Sequence, residues 1–126
     1  MKLNFIHVCE TAFISQSGNL NIIEIFEGIF ASKFPAIHPK LTVVASVEGV
    51  KGRHEFEIKI LGSAANKIAS VRGGFVLNDT KSKFGIITAF NGIKFEKEDI
   101  YKVQIFVDSK NLGETPFEVK QIGNVA

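Results

Sequence analysis

Residues 54–60 read His-Glu-Phe-Glu-Ile-Lys-Ile. A two-residue period sets Phe56, Ile58 and Ile60 on one face of an extended chain and Glu55, Glu57 and Lys59 on the other; a helix would scatter both sets. The same period recurs in "YKVQIFV" (Tyr101–Val107) and "KLTVVASV" (Lys40–Val47). Half-buried strands are therefore the building material of this chain.

Outward from these runs, turn residues divide the sequence into eight or nine strands. Leu3–Ser15 is apolar on both phases and meets Gln16-Ser17-Gly18-Asn19, a turn signal. Leu20–Phe30 returns as a second long strand, again apolar on both phases, so the first thirty residues predict a long β-hairpin. Ser32–Pro39, with Pro35 and Pro39, reads as a loop or edge segment, because proline donates no ladder hydrogen bond. Leu41–Val47 and Glu55–Leu61 are strands. Lys67–Arg72 is a weaker one that ends in a bend at Gly73-Gly74, before a short Phe75–Leu77. Asn78–Lys83 is a polar loop. Phe84–Phe90 runs into Asn91-Gly92, the dipeptide best suited to a two-residue turn with positive φ. Tyr101–Val107 and Leu112–Ile122 close the chain as a hairpin, and Pro116 favours a sheet edge. The expected fold is all-β, a single-domain antiparallel β-sandwich over residues 1–126 with Greek-key-like connections, preferred over a closed barrel because the strands differ in length and several hold Pro or Gly.

The 126 residues carry 15 Lys and Arg against 13 Asp and Glu, a formal net charge of +2. The basic residues Lys51, Arg53, Lys59, Lys67, Arg72, Lys81 and Lys83 are interspersed with acids and turns, not gathered into a phosphate-binding stripe, so no nucleic acid is expected. Twelve Phe, one Tyr and no Trp make Phe the main bulky core filler. One cysteine, Cys9, allows no internal disulfide. Asn4, His7 and Glu10 interrupt the apolar run that a secretory leader would need, and no stretch approaches the ~18 apolar residues of a membrane span. A soluble cytoplasmic protein without a membrane segment is the expectation.

Four segments in this order carry a family resemblance: "CETA" (Cys9–Ala12), "GNLNIIEIFEGI" (Gly18–Ile29), "FPAIHP" (Phe34–Pro39) and "YKVQIFVDSKNLGETPFEV" (Tyr101–Val119). Together they resemble a family of small, mostly bacterial proteins of unknown function. The resemblance spans most of the chain, more thinly between Val50 and Phe95. It implies a compact β-sandwich without a known cofactor, and it brings no functional residues with it.

Read for chemistry, the chain offers few constellations. Glu10 and Glu24 each interrupt an apolar run, and a turn that sets Ser15 opposite Asn19 sets Glu10 opposite Glu24. Two carboxylates that close could share a proton or hold a cation, although like charges directly opposite are disfavoured. His7 and Cys9 share a strand face, but zinc needs more ligands and nothing places His38 or His54 beside them. His38 reads as a loop-fixing residue, and Asp108 as a turn opener whose carboxylate accepts backbone N–H groups. No P-loop, dinucleotide fingerprint, serine elbow or paired-histidine zinc motif is present. Phe13, Phe30, Phe34, Phe95 and Phe106 are read first as core or protein-contact residues, with Phe106 out of phase and on an outer face.

The sequence thus predicts no enzyme, no cofactor and no metal. It predicts a binding or assembly module that self-associates through the apolar N-terminal hairpin, with a dimer as the simplest form. Phe13, Ile23, Ile25, Phe30 and Phe106 are the interface candidates, and Glu10 and Glu24 the candidate acidic pair. The alternatives are a small-ligand or carbohydrate-binding sandwich and, further off, a hydrolase that uses Glu10 and Glu24.

Overall fold

The computed structural model describes residues 1–80 and 82–122; Lys81, counted above among the dispersed cations, lies outside them. In chain order the strands are β1 (Lys2–Ile14), β2 (Leu20–Ile25), β3 (Gly28–Ala31), β4 (Ala36–Glu48), β5 (Gly52–Leu61), β6 (Lys67–Leu77), β7 (Lys83–Phe95), β8 (Asp99–Val107) and β9 (Lys110–Gln121). They form two sheets, of order β2-β1-β4-β7 and β3-β9-β8-β5-β6. Setting aside β2 and β3, β1-β4-β7 faces β9-β8-β5-β6. That is the Greek-key connectivity of an immunoglobulin-type sandwich. Near the start of β8, the Tyr101 hydroxyl donates to the Lys97 carbonyl at 2.9 Å, a tyrosine corner of the kind such sandwiches use. Among the described residues all pairings are antiparallel but one: β3 runs parallel to β9.

Between the sheets lie the alternating residues that the sequence marked. Ile58 and Ile60 from one sheet and Val43, Ala45 and Val47 from the other share one core, all fully buried. At one end Phe95, Tyr101 and Phe117 pack with ring centroids 4.9 to 6.0 Å apart. At the other, Phe75 stacks on Phe84 at 5.0 Å and on His54 at 5.4 Å. Burying side chains of this size contributes about 1.5–3 kcal/mol each, which is the main force holding the two sheets together.

Three local expectations are corrected. First, Leu20–Phe30 is two strands in different sheets. Glu24 takes a left-handed φ of 57°, the Phe26 N–H donates to the Val8 carbonyl at 3.0 Å, and the chain then crosses to β9, where the Glu118 N–H donates to the Glu27 carbonyl at 2.9 Å. Second, Asn91-Gly92 makes no hairpin. β7 runs through it, and the Gly92 φ of 66° falls between the pairs His38–Ile93 and Lys40–Asn91, beside Pro39 of β4. A positive φ that suits a tight turn also serves an irregularity inside a strand. Pro39 is part of β4, beyond the last β1 pair at Cys9–Thr42, in a stretch that β1 leaves open. Third, Gly73-Gly74 does not break β6. Side chains from β5 cover the bare backbone: a Cβ on Gly73 would come within 2.7 Å of the Phe56 ring, and one on Gly74 within 2.6 Å of the Arg53 guanidinium.

Candidate functional site

Two surfaces stand out, on opposite faces of the sandwich. The first is the N-terminal hairpin. The Ser15 N–H donates to the Asn19 carbonyl and the Gly18 N–H to the Ser15 carbonyl, both at 2.8 Å. Pairing then runs from Ile14–Leu20 to Cys9–Ile25. On β4, Leu41, Val43, Ala45 and Val47 belong to the central core. Thr42 and Val44 therefore point outward, yet they are 1% and 0% exposed, and Cys9, opposite Thr42, is 0% exposed. None of the three belongs to the central core.

The end of the hairpin packs onto this same outward side. Gly85 of β7 lies opposite Ser46, two strands away from β1, and a Cβ there would stand 3.9 Å from Ile14 Cδ1 and 4.0 Å from Leu20 Cδ1. The tip of the hairpin thus reaches back across the outward face of its own sheet. Its base is tied by Thr42, whose hydroxyl donates to the Glu10 carbonyl at 3.1 Å, and by Lys40, whose ammonium donates to Thr11 Oγ1 at 3.3 Å. Beneath it, burial first and the Glu10 carboxylate second push the Cys9 thiol up, so Cys9 stays a neutral packing group that donates to the Thr11 carbonyl.

Where the hairpin packs down it does so with Ile14 and Leu20, and Ile14 stays half exposed; Phe13, Ile23 and Ile25 are likewise about half exposed. β2 is the edge of its sheet, and no described strand lies beyond it. Phe30, on β3 at the edge of the other sheet, is more exposed still. Glu10 and Glu24 fall between the pairs Cys9–Ile25 and Thr11–Ile23, but the left-handed φ of Glu24 interrupts the ladder there and its side chain is exposed.

The second surface is the outer face of the five-stranded sheet. An open depression of about 440 Å³ is lined by Glu55, Glu57, Lys59, Arg72, Phe106 and Ser109, with the edge of Phe56. Phe106 lies opposite Glu57 and beside the fully buried Ile105, so it faces outward as its phase predicted. It is not contiguous with the hairpin candidates. The Lys59 ammonium sits 4.7 Å from its ring centroid, and Glu57 takes Arg72 Nε at 3.3 Å and Lys59 Nζ at 3.9 Å. Charge and ring face are thus largely satisfied from within the sheet.

The sequence reading missed one pairing. His54 Nδ1 is 2.7 Å from Asp108 Oδ2, and Nε2 is 2.9 Å from the Val50 carbonyl. Only an imidazolium has two N–H groups to donate, and the Asp108 hydrogen bond above all raises the His54 pKa. The same bond, helped by the Glu55 N–H on Oδ1 at 3.0 Å, lowers the Asp108 pKa. The signal was an inward-phase histidine two residues before Phe56, whose β8 partner Val107 precedes Asp108. With both nitrogens engaged, the ring pins a loop to a turn and has no free nitrogen to act as a base. His7 stacks on Phe5, and His38 lies edge-on to Phe26; neither joins Cys9 in a ligand set, and among the described residues no group of three or more His, Cys, Asp or Glu could hold a metal ion. Nor is any helix long and apolar enough to cross a membrane among them.

Comparison with known proteins agrees with this architecture. The model of a family of unknown function (DUF6941) matches residues 4–120. No curated protein matches the chain. Among solved structures, the chain is similar to part of a glycosyl hydrolase family 2 member from Bacteroides cellulosilyticus, at 18% identity and a TM-score of 0.51, over 63% of this chain and 12% of that one. It is also similar to part of the alkylpurine DNA glycosylase AlkC from Pseudomonas fluorescens, solved bound to DNA with an abasic site analog, at 11% identity and a TM-score of 0.55, over 91% of this chain and 30% of that one. At these identities the likeness is one of fold alone.

Proposed function

The chain belongs to this family of unknown function, and from its surface we propose that it is a non-enzymatic binding and assembly module that self-associates through the side formed by β2 and β3. One observation carries the reading: Ile23 and Ile25, 47% and 53% exposed, stand on an open edge strand. Edge strands are usually guarded by lysine, proline or bulges, because their free N–H and C=O groups invite another strand. The other long edges here follow that rule: β6 carries Lys67 and Arg72, and β7 carries Lys83 and Lys94. Between Lys2 and Lys33 there is neither Lys nor Arg. Sedimentation velocity from 1 to 100 µM tests the reading. A concentration-dependent shift from monomer to dimer supports it, and a monomer throughout removes it.

A second reading rests on the depression around Phe106. An aromatic ring flanked by carboxylates and cations is chemistry that sugar rings and small polar ligands use. It ranks lower because Lys59 already lies over the ring. Glycan-array or fluorescence binding that is lost on Phe106→Ala would raise it.

A further inference from the structure

We infer that the partner of β2 is β2 of a second copy of this chain, paired antiparallel about a two-fold axis at Ile23. This deepens the self-association reading and rests on it. The open ladder calls for a strand, because only a strand satisfies successive N–H and C=O groups. The sequence of β2 then selects which strand. When two copies of one strand pair antiparallel, the axis stands perpendicular to the sheet, and the residue on the axis faces itself. A charge at that point would repel its own copy. β2 is Leu-Asn-Ile-Ile-Glu-Ile, with Glu24 as its one charge. Centring on Ile23 sets Ile23 against Ile23 and leaves Glu24, where the ladder is interrupted, off the axis, so the two Glu24 carboxylates never meet. Ile23, about half exposed in the single chain, is then covered by its own copy.

The two long edges, β6 and β7, are disfavoured as the partner, and β3, at four residues, is too short to match β2. β6 and β7 would set Lys67, Arg72, Lys83 or Lys94 beside an isoleucine row, at the cost of desolvating them.

The test is a charge swap across the axis. Ile23→Lys and Ile23→Glu are each made in the full chain, and unchanged circular dichroism and urea midpoints confirm that they fold. Ile100→Lys, at a still more exposed isoleucine on the other sheet, is the control. Each Ile23 variant alone should self-associate about 100-fold or more weakly than the wild type, because a like charge faces its copy on the axis. An equimolar mixture of the two should recover a dimer, seen by native mass spectrometry as the mixed species. Ile100→Lys should dimerise as the wild type does. A wild type that stays monomeric at 100 µM overturns the self-association reading itself. A wild-type dimer with no recovery in the mixture leaves that reading standing and overturns the pairing through Ile23.

Discussion

The β5–β8 pair and the β1–β2 hairpin are both antiparallel ribbons at the flanks of one core, yet they treat their second faces in opposite ways. On β5 and β8 the inner residues are Ile58, Ile60, Val103 and Ile105, and the outer ones are Glu57, Lys59, Gln104 and Phe106. That outer face satisfies its own charges, with Glu57 between Lys59 and Arg72. On the hairpin both faces are apolar. The tip packs one set against the outward side of its own sheet and leaves the other open. Period-two alternation thus marks a strand that has one core to face. Its loss marks a strand with two things to cover.

The sharpest way to break this contrast is at Val44. By position it faces outward, as Lys59 does on the other sheet, but by burial it is core. Val44→Asp should destabilise the fold by about 4 kcal/mol, because an unpaired carboxylate would be shut under the hairpin. Lys59→Asp, an outward charge change on the five-stranded sheet, should stay within about 1 kcal/mol. Urea midpoints compare the two. If both cost the same small amount, the hairpin does not cover the sheet.

How much of this was legible follows the same division. The strands with one core to face were found from residues 54–60 outward, and the sandwich followed from their number and spacing. The hairpin itself was readable, but its register only on the condition that Ser15 stands opposite Asn19, which the turn meets. What could not be read was where the chain changes partner. Apolar residues on both phases of Leu20–Phe30 say that two faces are covered, but not that the strand leaves one sheet for the other at Glu24. Asn91-Gly92 gave a positive φ at Gly92 but no turn, and Gly73-Gly74 gave neither bend nor bulge, because neighbouring strands hold both pairs in ladders. The His54–Asp108 pin joins residues 54 positions apart, and only the β5–β8 register brings them together.

The same glycines give a smaller test of opposite sign. Gly73→Ala should cost about 1–3 kcal/mol, since its Cβ would meet the Phe56 ring at 2.7 Å and move a packed aromatic. Gly85→Ala should gain about 0.5 kcal/mol, because its Cβ would sit 3.9–4.0 Å from Ile14 and Leu20, an ordinary contact, and would lower the entropy of the unfolded chain. Thermal unfolding of the two variants beside the wild type reads both signs. A destabilising Gly85→Ala would mean that the hairpin tip lies too tight on β7 to accept one methyl group.

The gentlest probe is pH, and it should act on one flank only. The His54 pKa is raised in the folded state, so the imidazolium contributes its full stabilisation below its ordinary value near 6.5 and loses it as pH rises through the folded value. The Asp108 pKa is lowered, so its contribution is present above its ordinary value near 3.9 and fades as pH falls through the folded value. The pin is therefore at full strength between about pH 4 and 6.5. Above that window the Asp108–Ser109 turn should loosen from Val50, while the hairpin, held by apolar contacts, should not. Amide exchange at pH 6 and pH 8.5, corrected for intrinsic rates, should show faster opening around Glu55 and Asp108 at the higher pH and no such change across Leu20–Ile25. In Asp108→Asn the difference at Glu55 should disappear, because an amide gives the imidazolium no charge to hold. If the loss at pH 8.5 persists in that variant, the pH response belongs to another histidine and the pin is not its cause.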